Sequence, residues 1–160
     1  MLKEVTAEAK LAKVETKALV EAGKTIAERG LQNWDEFQKA LGKTFKSESE
    51  AKVGWKVYQD ANKSKDIMVI GNKFPTGDTL VAKDWAGHQV LNTKMWSPEI
   101  NDTWIQGGID RKAEFYLASP QTTENLWSFE RNREKIFQRE LRQLKDSGYR
   151  QVGDKMLPPK

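Results

Sequence analysis

Two short apolar runs set the terms on which this chain folds. Ile67-Met68-Val69-Ile70 is closed by Gly71-Asn72, and Glu114-Phe115-Tyr116-Leu117-Ala118 is halted by Ser119-Pro120. Apolar runs of about four to eight residues bounded by turn formers read as buried strands. Ser97-Pro98-Glu99 supplies an N-cap, an N1 proline and an acidic first turn, which predicts a helix from Pro98 to about Gln106 that Gly107-Gly108 ends or bends. Phe74 to Asp78 is a turn cluster, and Thr79–Ala82 and Gln89–Leu91 are short strands or stabilised loop. Beyond Pro120, the spacing of Leu126, Phe129, Arg133, Ile136, Phe137, Glu140, Leu141 and Leu144 predicts one long helix over 124–146, capped by Gly148. Tyr149 to Leu157 reads as a final strand that Pro158-Pro159 closes.

The upstream texture is different. From Lys3 to about Arg29 the chain is rich in Ala, Lys and Glu with a thin apolar stripe, a helical composition that Gly30 stops. Asn33 reads as an N-cap with Glu36 three residues on, and Trp34, Phe37, Leu41 and Phe45 follow at helical spacing. A further helix over 48–62 buries Val53, Trp55, Val57 and Tyr58. The chain therefore divides into a helical N-terminal segment, 1–65, and a compact α+β domain, 66–160. With 38% hydrophobic residues in 160, that domain has material for one core.

Composition removes several chemistries. Without cysteine there is no disulfide framework, thiol nucleophile or thiolate zinc site. His88 is the single histidine, so neither a histidine pair nor an HExxH zinc site can form. Gly71 to Thr79 fails as a P-loop, because its spacing is wrong and Asp78 stands where the lysine belongs. Met1 to Val5 lacks the apolar run of a signal peptide, and no stretch of about eighteen apolar residues occurs, so no membrane span is expected. The formal charge of +4 is compatible with nucleic acid without pointing to it.

Thr79 to His88 is the densest chemical cluster. A general base, His88, a cation, Lys83, and a carboxylate able to orient the imidazole, Asp84, lie within six residues of one another. Arg111 precedes the second strand and offers a bidentate clamp for phosphate, or simply complements a helix C-terminus. Ser119 follows that strand directly, where loop residues face sites, or else it opens the next helix. A metal-dependent reading takes Asp110 and Lys112 as the end of a nuclease constellation, with Asp84 or Asp102 as the partner carboxylate for magnesium. Trp85, Trp96 and Trp104 border these clusters and suit either base stacking or the core.

Taken as an ordered set, Val69-Ile70-Gly71, Asp78-Thr79, Ala82-Lys83-Asp84-Trp85, Gly87 to Leu91, Trp96, Asn101 to Trp104, Gly108-Ile109, Phe115 to Pro120, Arg139-Glu140-Leu141 and Gly148-Tyr149 carry a resemblance. Over about residues 66–159 the chain resembles the C-terminal toxin domains of bacterial polymorphic toxins, including contact-dependent growth-inhibition effectors. No pretoxin junction motif is visible in residues 1–65, which correspond to the variable segment ahead of such domains. The resemblance implies a twisted, mainly antiparallel sheet packed against helices, and a metal-independent RNase of the barnase/colicin-like class. It implies action in the cytoplasm of a target bacterium after delivery within a larger secreted or surface effector. The implied partners are tRNA, a cognate immunity protein and, by analogy with some tRNA-cleaving members, elongation factor Tu.

On this reading RNA is cut by internal transesterification, with no metal and no cofactor. His88, oriented by Asp84, moves the ribose 2′-hydroxyl or leaving-group proton, and Lys83 and Arg111 stabilise charge on the phosphate. Thr79 or Ser119 hydrogen-bonds that phosphate, Tyr116 is one group able to take the second proton-transfer role, and Trp85 borders the substrate. The alternatives are a metal-dependent nuclease toxin and a non-catalytic binding or structural module.

Overall fold

A computed structural model describes residues 30–71 and 87–159. The helix expected over 3–29, the turn cluster at 74–78 and the short strand at 79–82 lie outside the described residues. Helix α1, Trp34–Leu41, starts where the cap pattern placed it: Asn33 Oδ1 accepts the Glu36 N–H at 2.9 Å, and Glu36 accepts the Gln32 N–H at 2.8 Å. Helix α2, Glu48–Lys63, is capped by Ser47, and helix α3, Pro98–Asp110, by Ser97, whose hydroxyl accepts the Ile100 N–H at 3.1 Å. Between α2 and α3 lie strands β1, Ile67–Ile70, and β2, His88–Val90. Strand β3 is Phe115–Leu117.

The single long helix expected over 124–146 is instead three elements. A short helix α4, Thr123–Leu126, leads into the hairpin of β4, Trp127–Ser128, and β5, Arg133–Glu134, and only then does helix α5 run, Ile136–Asp146. Asn132 turns the hairpin at φ +52°, a left-handed conformation that asparagine tolerates. Phe129 is 76% exposed at this turn, so its helical spacing records no buried face. The final strand is likewise a hairpin, β6, Arg150–Val152, and β7, Lys155–Leu157, which reverses at Gly153 with φ +63°.

The fold is α+β, and its principal sheet is mixed, in the order β2–β1–β3–β7–β6. Helix α3 carries the chain across to place β3 parallel to β1, and β2 is also parallel to β1; only β3–β7–β6 is antiparallel. One face of the sheet presents Met68, Ile70, Phe115, Leu117 and Met156 to a core shared with α2, α3 and α5. Val57 and Ala61 of α2 belong to that same core, while Leu31, Phe37 and Tyr58 form a second cluster beneath α1.

Gly107-Gly108 lies inside α3 rather than at its end, because both neighbouring layers approach there. A β-carbon on Gly107 would come within 2.6 Å of the Tyr58 carbonyl oxygen in α2, and one on Gly108 within 2.8 Å of the Phe115 ring. Among the described residues, no helix is long and apolar enough to cross a membrane.

Candidate functional site

Strand alternation decides which predicted site residues meet. His88 lies opposite Ile67, and Tyr116 lies opposite Val69, so both belong to the sheet face that alternates with the core residues Met68 and Ile70. Their rings meet across β1 in an edge-on contact with centroids 6.0 Å apart. Lys155 is the register partner of Tyr116 on the same face, and its ammonium lies 3.4 Å from Glu114. An imidazole, a phenol and an ammonium thus line one side of the sheet. Thr79, Lys83, Asp84 and Trp85, expected to complete this group, lie outside the described residues.

Arg111 does not join them. Its Nε donates to the Ala61 carbonyl at 2.7 Å, and its Nη2 donates to the Asp66 carbonyl at 2.6 Å and reaches Met68 Sδ at 3.3 Å. Met68 faces the core, so the guanidinium approaches β1 from the side opposite His88. It ties the end of α2 to the start of β1, and burial draws its pKa down. The expected meeting of His88 and Arg111 around one phosphate is therefore corrected: a strand separates them.

The carboxylates of the metal-dependent alternative also part company. Asp110 accepts from the Tyr58 hydroxyl at 2.5 Å and from Gln106 at 2.7 Å, on the α2 side of α3. Asp102 faces α5, where Arg139 clasps it with Nε at 3.0 Å and Nη2 at 2.5 Å. No group of three or more potential metal-ligating His, Cys, Asp or Glu side chains occurs among the described residues. Burial raises Asp110 to about 6 against the pull of its two donors.

Ser119 lies elsewhere again, at the C-terminal end of β3, where a β-carbon on Gly71, at the end of β1, would come within 2.8 Å of its hydroxyl. A crevice of about 1100 Å³ opens here, lined by Ser119, Trp96, Asn125, the β4–β5 hairpin and the start of α5. The crevice outside the carboxyl ends of parallel strands is where open α/β sheets bind ligands. Next to the lining residue Arg139 is the buried Glu140, which the sequence marked as a position on the inner side of a helix and as part of the resemblance set. Asn101 Nδ2 donates to Glu140 Oε2 at 2.9 Å, and Trp96 Nε1 approaches Asn101 Oδ1 at 3.4 Å. Glu140 Oε1 is buried without a well-formed hydrogen bond. Burial drives this carboxyl up to about 8, with the Asp102 charge adding to the rise while Asn101 and the Gly71 N–H oppose it. At neutral pH this buried carboxyl therefore largely holds its proton.

The signal that could have found Glu140 is a carboxyl inside the stripe Phe137, Leu141, Leu144, all of them buried. Of the three tryptophans that border the clusters, Trp85 lies outside the described residues and the other two divide. Trp104 is 1% exposed in the core, whereas Trp96 is 50% exposed at the crevice. No protein-family model, no curated protein and no solved structure matches this chain.

Proposed function

We propose that this chain is an antibacterial effector toxin domain that cleaves RNA, tRNA foremost, by internal transesterification without a metal ion, and that a cognate immunity protein neutralises it. The observation that carries this reading is the His88–Tyr116 contact on the sheet face away from the core, with Lys155 beside it in register. Transesterification needs one group to take the 2′-hydroxyl proton and another to protonate the leaving 5′-oxygen, and an imidazole beside a phenol supplies both kinds of group. Histidine is the side chain whose ordinary titration spans pH 5 to 8, which suits either role. Lys155 replaces Arg111 as the described cation near the reacting phosphate, with Asp84 and Lys83 retained from the sequence as the group that orients the imidazole and the second cation. The target-cell cytoplasm, delivery within a larger effector, and elongation factor Tu as a further partner belong to the same reading and rest on the sequence resemblance.

Inducible expression followed by denaturing electrophoresis of total RNA tests this. Discrete tRNA species should disappear, in lysate reactions with chelator as well as without, and His88→Ala should slow cleavage by about 10²–10⁴-fold with the fold intact. Normal cleavage by the His88→Ala protein removes the imidazole from the mechanism. Intact RNA beside degraded DNA, with chelator protecting that DNA, would establish the metal-dependent nuclease instead.

A further inference from the structure

The crevice at the ends of β1 and β3 is strongly and unevenly charged. Arg131, Arg133, Lys135 and Arg139 line it, against Glu124 and Glu134. Arg139 is committed to Asp102, and Glu134 is committed to Arg142 from outside the crevice. That leaves Arg131, Arg133 and Lys135, none of which forms a salt bridge with a carboxylate among the described residues, against the single carboxylate of Glu124, which forms none either. Three cations against one carboxylate leave this lining net positive, which favours an anion in the crevice.

Two further features point the same way. Helix α5 has Lys135 as its N-cap residue and no side-chain cap, whereas α1, α2, α3 and α4 all have one. Ile136 at its first turn lines the crevice, so the positive end of the helix adds to the cations there. Trp96 stands on the same crevice with half of its surface exposed, its indole N–H directed at Asn101. An indole held by its edge leaves a flat apolar face for a ring to stack on.

We propose that this crevice binds a nucleoside phosphate, with Arg131, Arg133 and Lys135 on the phosphate oxygens and the Trp96 ring against the base. Its volume of about 1100 Å³ is ample for one nucleotide with water. The chemistry is shared by a free nucleotide and by the phosphorylated end of an RNA strand. The inference concerns binding alone and stands whether or not the sheet face cleaves RNA.

Calorimetric titration of the full chain carrying His88→Ala, with AMP, adenosine, inorganic phosphate, and a deoxytetranucleotide with and without its 5′-phosphate, tests it. AMP should bind saturably below about 5 mM. Adenosine should bind at least about tenfold more weakly, and so should AMP to the Arg131→Ala/Arg133→Ala protein. Both arginines are exposed, so their loss leaves the core untouched, which an unchanged melting temperature verifies. Trp96→Ala should weaken AMP by about 5- to 160-fold, the span of one base–aromatic stack. Tighter binding of the 5′-phosphorylated tetranucleotide than of AMP would identify a strand end as the ligand, and the reverse a free nucleotide; either supports the site. AMP affinity unchanged in the double arginine variant, no saturation by AMP or tetranucleotide, or inorganic phosphate binding as tightly as AMP would overturn it.

Discussion

Asp110 and Glu140 are both buried carboxyls that reach across helix α3's two sides, and they are treated differently. On the α2 side, both Asp110 oxygens receive a donor, Tyr58 on one and Gln106 on the other, and the Tyr58 hydroxyl in turn accepts the Leu31 N–H at 2.7 Å. On the α5 side, Glu140 has Asn101 on one oxygen and no well-formed bond on the other. The first carboxyl rises to about 6 and the second to about 8. A complete set of donors makes a strut between two helices. An incomplete set leaves burial unopposed on one oxygen, and the carboxyl keeps its proton to higher pH.

Glu140→Gln should produce the largest change. A carboxyl raised from 4.5 to about 8 binds its proton more tightly folded than unfolded. Its contribution to stability is thus full below pH 4.5 and is lost as pH climbs towards 8, at up to about 1.4 kcal/mol per pH unit. Guanidinium unfolding at pH 5, 6, 7 and 8 should show this decline in the parent and a flatter profile in Glu140→Gln, with the variant the more stable at pH 8. Parallel profiles would mean that Glu140 is as well satisfied as Asp110.

Tyr58→Phe comes next and attacks the complete set. It strips one donor from Asp110 and leaves the Leu31 N–H without its acceptor, costing about 2–3 kcal/mol at neutral pH. Part of that loss should be recovered at pH 5, where Asp110 without its tyrosine is protonated; a loss independent of pH would reassign the effect to packing. The smallest effect belongs to a third carboxylate, Asp60, exposed on α2 and 3.1 Å from Lys56. Lys56→Ala should move the midpoint by less than about 0.5 kcal/mol, since a solvated i,i+4 pair contributes little.

Local chemistry was the legible part of the sequence. Asn33 with Glu36, and Ser97 with Pro98, placed helix starts because a cap bonds only its own first turn. The runs at 67–70 and 114–118 gave strands because burial on a sheet needs no knowledge of the partner. What failed depended on partners. Gly107-Gly108 looked like a stop until α2 and β3 are seen pressing on it, and Phe129 lay in register with a helix that the hairpin interrupts. The same limit applied to the site. His88 and Tyr116 are close only through the register of β2, β1 and β3, and Arg111 is diverted by two backbone carbonyls that no side-chain pattern reveals.

The paired glycines of α3 have one more implication. Gly107 admits the backbone of α2 and Gly108 admits the ring of Phe115, so adjacent peptides of one helix gauge two spacings at once. Towards α2 the spacing is set by backbone against backbone, and towards the sheet by the backbone of α3 against the Phe115 ring. The outlying hairpins are free to diversify around a slab whose depth is already fixed.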